Sequence, residues 1–200
     1  MTVKVAVIYY SATGTVRALA RAVADGARSA GAEVRLRSVA EHAAEGEAAA
    51  GETRAGETPA GEITAELDDL AWADAFAFGT PTRFGTPAAQ LKQFIDGSVG
   101  LWKEGRLADK PVTAFTSAHN RHGGSEATIL SLGNVFYHWG GIIVPPGYTD
   151  PIEFEVGNPY GASFVSGGTM PDDIHLEAAR YQAQRVTEVA RLLKRGRAAA

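Results

Sequence analysis

Residues 3–16 read VKVAVIYYSATGTV, and this stretch decides the fold. Val3, Val5, Ala6, Val7, Ile8 and Tyr9 form a near-continuous apolar run. That is the pattern of a parallel strand covered on both faces, not the alternation of a half-wet one. Ser11, Ala12, Thr13, Gly14, Thr15 and Val16 follow at once, three hydroxyls around one glycine, and a helix-like segment begins there. A loop that enters a helix N-terminus offers unpaired backbone N–H groups and the positive end of the helix dipole, and so suits a phosphate. This loop has no lysine, so it lacks the Gly-Lys-Ser/Thr arrangement that holds the β and γ phosphates of a nucleoside triphosphate. Nor is it Gly-x-Gly-x-x-Gly, which removes the dinucleotide fingerprint. Hydroxyls and amides without a cation match a single terminal phosphomonoester. A lone serine or threonine would serve as a helix cap; three alternating hydroxyls with Gly14 favour the phosphate.

Beyond this unit, strand-like and helix-like segments alternate. Strands are expected over 3–10, 33–39, 75–79, 111–117 and 141–144, with helices over 14–30, 87–96, 124–139 and 172–195. Leu19, Val23 and Ala27 mark the apolar face of the first helix; Leu91, Phe94 and Ile95 mark that of the second. Five βα units predict an α/β sandwich of three layers, a five-stranded parallel sheet with right-handed crossovers and helices on both faces. A strand order of 2-1-3-4-5 puts a cofactor at the C-terminal ends of strands one and three, where the winding reverses. Residues 1–200 form one domain with two excursions. Residues 40–62 repeat AGE(T) three times with little to bury and read as a flexible surface segment. Residues 145–171 form a long apolar loop, with Tyr148, Ile152, Phe154, Val156, Tyr160, Phe164 and Val165 interleaved with Gly and Pro. It is too irregular for a helix and too apolar to leave in water, so it argues for self-association, as do Trp102 and Trp139 outside the regular core pattern.

Composition narrows the chemistry. Hydrophobic residues make up 45% and charged residues 21% of the 200, a globular balance. No apolar stretch approaches a bilayer span, so no membrane insertion is expected, and the short run from Val5 reads as a strand, not a secretory signal. The absence of cysteine excludes disulfides, thiolate metal sites and a cysteine nucleophile, so any redox chemistry must come from an organic cofactor. A net charge of −4 argues against a nucleic-acid surface. It is also mild for an electron carrier that docks on basic partners. A cytoplasmic location is expected.

The loops after strands one, three and four meet on one edge of such a sheet. The second runs Gly79-Thr80-Pro81-Thr82-Arg83-Phe84-Gly85-Thr86-Pro87. Its prolines stiffen it, its amides can bond the polar rim of a flat ring, and Phe84 can cover that ring. Arg83 can pair with a local carboxylate instead, the commoner fate of a loop arginine. The third runs Ser117-Ala118-His119-Asn120-Arg121-His122-Gly123-Gly124, rich in donors and followed by a helix. His119 and His122 have no carboxylates at ligand spacing, so no metal is expected. A flat ring plus one phosphate describes FMN. His138, between Tyr137 and Trp139, reads on its own as a buried structural histidine, and Trp102 as a packing anchor.

YYSATGTV, FGTPTRFGTPAAQLKQFID, SVGLW, HGGSEAT and YHWGGIIVPPGYTD together resemble the WrbA-type NAD(P)H:quinone oxidoreductases over nearly the whole chain. GTPTRFG with its following amphipathic helix is the most specific part. These are flavodoxin-like FMN proteins, commonly tetrameric. The resemblance implies that Ser11 to Val16 hold the FMN phosphate, while Thr82, Arg83, Phe84 and Gly85 line the flavin. Ser117, Ala118, His119, Asn120 and Gly123 would clasp its other side. His138 matches a histidine that reaches the flavin edge, and Trp102 an aromatic at the substrate face. Two departures stand out: Thr13 replaces an aromatic that some members direct at the nicotinamide nucleotide, and the loop at 117–124 is poorer in glycine.

The implied reaction is two-electron reduction of quinones by NAD(P)H. With no second nucleotide fingerprint in the chain, donor and acceptor would alternate at one face, which is ping-pong kinetics. No dedicated acid or base is assigned, because solvent can protonate the hydroquinone. Two other readings fit the same cofactor: a single-electron carrier of the flavodoxin type, and a non-enzymatic FMN-binding regulatory module.

Overall fold

The computed structural model describes residues 1–41 and 61–199, so most of the expected 40–62 excursion lies outside the described residues. Five parallel strands are ordered β2-β1-β3-β5-β6: β2 Glu33–Ser38, β1 Lys4–Tyr9, β3 Ala75–Arg83, β5 Pro111–Ala118 and β6 Ile142–Ile143. Counted as the five expected strands, this is 2-1-3-4-5. Two short strands are additional. β4 (Thr86–Pro87) folds back antiparallel on β3, and β7 (Ser163–Val165) runs parallel to β5.

The unbroken apolar run of β1 has a simple cause. Val5, Val7 and Tyr9 face one core with α1 (Thr15–Ser29) and α7 (Asp173–Ala199). Ala6, Ile8 and Tyr10 face a second core with α2 (Leu67–Trp72), α3 (Ala89–Gly97) and α5 (Ser125–Trp139). Alternate residues point to opposite faces, and each face has its own helix layer. A short α4 (Val99–Lys103) follows α3. Trp139, expected outside the core, is buried against Phe76, Phe78 and Phe136, with its ring centroid 5.7 Å from that of Phe78. The C-terminal turn of α5 points it inward. On the other face α1 and α7 touch closely: a Cβ on Gly26 would lie 2.2 Å from the carbonyl oxygen of Arg180.

The outer edge is where the structure departs from expectation. β6 pairs with the start of β5 (Pro111↔Ile142) and β7 with its end (Thr116↔Ser163), so the fifth strand is split by an insertion. The segment expected as the irregular loop 145–171 contains α6 (Pro151–Val156) as well as β7. Asp150 caps α6, accepting the Ile152 N–H at 3.0 Å, and Gly157 ends it. The insertion rejoins the sheet through fully buried Gln182 of α7, which accepts the Ala162 N–H at 2.5 Å and donates to the Ala114 carbonyl at 2.7 Å. Glu153 of α6 is also fully buried, and neither carboxylate oxygen has a hydrogen-bond partner. Burial, with Asp150 adding repulsion, pushes its pKa up to about 7. Among the described residues, no helix is long and apolar enough to cross a membrane.

Candidate functional site

β1, β3 and β5 end on the same edge, and their loops enclose a cleft of about 440 Å³. At the start of α1, Gly14 is left-handed (φ 91°). The backbone N–H groups of Gly14 and Arg17 both donate to Ser11 Oγ at 3.2 Å. Ser11 is thus a helix cap, yet its own hydroxyl hydrogen remains to donate outward. Thr13 and Thr15 line the cleft with their hydroxyls 3.4 Å apart. The Val16 side chain is in the core and Ala12 packs on the opposite one, so these two present only backbone here.

β3 runs four residues beyond the strand expected from sequence and reverses at Phe84-Gly85, where both φ angles are positive (52° and 77°). Two positive φ values between antiparallel Arg83 and Thr86 make a type I′ hairpin, a turn that normally takes Asn-Gly. A phenylalanine there is strained, and Phe84 is fully exposed at the tip, outside the cleft lining. Thr82 and Arg83 do line the cleft. Thr128 Oγ1 donates to Thr82 Oγ1 at 2.7 Å, and Thr82 to the Gly123 carbonyl at 3.3 Å. Gly124 (φ 94°) lets the hairpin tip dock, because a Cβ there would sit 2.8 Å from Gly85 Cα. Ser117, Ala118 and His119 line the cleft from the β5 side, whereas Asn120 is exposed in the turn that its carbonyl closes with the Gly123 N–H.

A wall of the cleft was missed in the sequence. After β7 the Ser166 N–H donates to the Ala118 carbonyl (2.8 Å) and the Gly167 N–H to that of His119 (3.0 Å). Ser166, Gly168, Thr169 and Met170 thereby come to line the cleft. The available signal was Ser166-Gly167-Gly168 directly after the Ser-Phe-Val strand, a turn at the C-terminal edge of the sheet.

His138 and Trp102 are elsewhere. His138 is exposed, contrary to the buried reading, and lies thirteen residues along α5 from the cleft end, about 20 Å away at helical rise. Trp102 Nε1 donates to the His138 carbonyl at 2.8 Å, and both line a separate groove of about 530 Å³ between α3, α4 and α5. Within one chain they do not reach the cleft.

Residues 3–150 match the model of a family described as NADPH-dependent FMN reductase. The chain is 42% identical over 190 residues to an NAD(P)H dehydrogenase (quinone) of Deinococcus radiodurans, covering 94% of this chain and 95% of that one. A protein of the same name from Aromatoleum aromaticum is 42% identical over 206 residues, 98% of this chain and 100% of its own. Among solved structures, a flavodoxin, WrbA-like protein from Agrobacterium tumefaciens superposes with a TM-score of 0.70 at 26% identity, covering 96% and 99% of the two chains. An archaeal flavodoxin at 19% identity, TM-score 0.63, shares the fold.

Proposed function

Because the chain belongs to the NADPH-dependent FMN reductase family, and within it to the WrbA-type NAD(P)H:quinone oxidoreductases, we propose that its cleft holds FMN and that it reduces quinones by two electrons in ping-pong fashion. The observation that carries this reading is the convergence of a hydroxyl-lined helix N-terminus with two donor-rich loops at the sheet's reversal point. The residues fit the cofactor. Ser11, Thr13 and Thr15, with the backbone amides at the start of α1 that Ser11 does not accept, would hold the phosphate. Thr82 and Arg83 on one side, with Ser117 to His119 on the other, would grip the ring. When bound, FMN supplies the hydride acceptor and donor that the protein's own side chains lack.

The chain's part is positioning. The Thr82–Thr128–Gly123 hydrogen bonds fix the two loops relative to each other, so donors can point at the ring edge where negative charge builds up. Phe84 offers an exposed aromatic face for a flat substrate. His138 and Trp102 enter this reading through a second copy of the chain: the working unit is a homo-oligomer, a tetramer, in which a neighbour's α4–α5 groove completes the site. The location is the cytoplasm.

Anaerobic addition of NADH or NADPH to the yellow protein tests the reading. Direct bleaching followed by recovery of colour with benzoquinone supports the enzyme. A protein that stays yellow until a separate reductase is added would be a carrier, and FAD as the tightly held chromophore would overturn the cofactor assignment.

A further inference from the structure

Resting on the reading of the cleft as an FMN and NAD(P)H site, we propose that Arg121 and His122, exposed in the loop that follows the cleft-lining His119, form a subsite for the 2′-phosphate of NADPH. The cleft-lining residues are carried by the segments 11–16, 79–88, 117–125 and 166–171. None contains an aspartate or glutamate, although the chain has 23 of them and a net charge of −4. Arg83, His119, Arg121 and His122 all belong to these segments. Among the described residues none of the four takes part in an ion pair. Elsewhere Arg17, Arg28, Arg35, Arg37, Arg180 and Arg191 each reach a carboxylate, while among the described residues Arg21, Arg185 and Arg195 do not. The carboxylates nearest in sequence are Glu126, in the first turn of α5, and Asp172, whose Oδ1 is held by the His175 ring and backbone N–H. Two guanidiniums are thus left without anions at the mouth of a cleft in an acidic protein.

Position separates them from the ring. Arg83 and His119 line the cleft, whereas Arg121 and His122 are exposed beyond its lining. The contact of Gly124 on Gly85 and the Thr82–Gly123 hydrogen bond hold the loop that carries them against the Arg83 hairpin. NADPH and NADH share the nicotinamide end and differ only in a phosphate on the distal ribose. Cations set outside the ring site are placed for the phosphates of the nucleotide's distal half, of which the 2′-phosphate alone distinguishes the two. A guanidinium can meet phosphate through two parallel N–H bonds, which a hydroxyl cannot. The first loop takes a phosphate without any cation; the mouth offers cations without a phosphate.

The test uses the FMN-loaded protein with benzoquinone as acceptor. At low ionic strength kcat/KM should favour NADPH over NADH by about tenfold, and the preference should shrink as salt rises. The Arg121→Gln/His122→Gln double variant should lose most of it through KM for NADPH, with NADH kinetics unchanged. In parallel, calorimetric titration should show 2′,5′-ADP binding the original protein more tightly than 5′-AMP, and the double variant binding the two alike. Equal use of both nucleotides by the original protein, or a preference that survives the double substitution, overturns the subsite. If neither nucleotide reduces the protein, the enzyme reading falls. The calorimetric comparison then decides the subsite alone, and equal binding of the two ligands overturns it.

Discussion

At Ser11 a bland role and the proposed functional one fall on the same atom. From sequence its hydroxyl could cap a helix or bind phosphate; in the structure Oγ accepts two backbone N–H groups and keeps a hydrogen to give. The alternatives therefore separate by mutation. Ser11→Ala should lower the stability of the cofactor-free protein by about 1 kcal/mol as a lost cap and weaken FMN as well. Thr13→Val should weaken FMN binding by roughly tenfold and leave the unfolding curve in place; fluorescence titration and denaturant melts read the two quantities. Glu153 carries a different consequence. Its folded pKa of about 7 stands above the ordinary 4.5, so across that interval the folded state holds the extra proton. Its stabilising contribution is complete below pH 4.5 and is lost as pH rises through 7, by at most about 3 kcal/mol. Glu153→Gln should therefore flatten stability between pH 5 and 8 and melt higher than the original protein at pH 8. Parallel pH profiles for the two proteins would discard this account. No sequence pattern announces Glu153: a glutamate in PIEFEV looks like a solvated helix face until the insertion folds over it.

At the level of elements, regular periodicity was legible and local reversals were not. β1, α1, β5 and α5 could be read because burial on one or both faces dictates long apolar patterns. β4 and β7 are two and three residues long, too short for any periodicity to register, and they exist because β3 and β5 offer them partners. The type I′ turn was hidden for a related reason: Phe84 occupies a left-handed position where sequence rules look for asparagine. Gln182 is the element-level anchor. In an alanine-rich helix it reads as a surface residue, yet it ties α7 to β5 and to the return of the insertion. Gln182→Leu would leave the Ala162 N–H and the Ala114 carbonyl without that partner, each at a cost of about 1–3 kcal/mol. The expected result is a lower urea midpoint, with faster amide exchange at Ala162 than at the centre of β1. Unchanged exchange at Ala162 would show that the insertion is held by its apolar contacts instead.

For the molecule as a whole, strand order and layer count followed from the alternation of elements, because right-handed crossovers leave few ways to bury both faces of one sheet. The location of His138 and Trp102 did not follow: a resemblance in sequence does not say that residues 102 and 138 lie away from the cleft of their own chain. Val99, Trp102, Leu130 and Tyr137 are all large and exposed on α4 and α5, from 45% to 72%. Covering several hundred Å² of such surface at about 25 cal/mol per Å² is a sizeable drive toward association. Sedimentation at micromolar concentration should give a multiple of 21.0 kDa, four copies being expected. A monomer with full quinone reductase activity would refute both the assembly and a site shared between copies. The split fifth strand leaves side chains, not a strand edge, as the surface for the proposed association. An unbroken outer strand exposes a ladder of amides and carbonyls on which another molecule can grow a sheet. Here that border is cut into pieces of two and three residues with Pro145-Pro146 just after the first, and β2 on the far border carries Arg35 and Arg37. Among the described residues both borders therefore offer a poor ladder for strand addition, and the expected result is a flat thioflavin-T trace when the protein is held at high concentration.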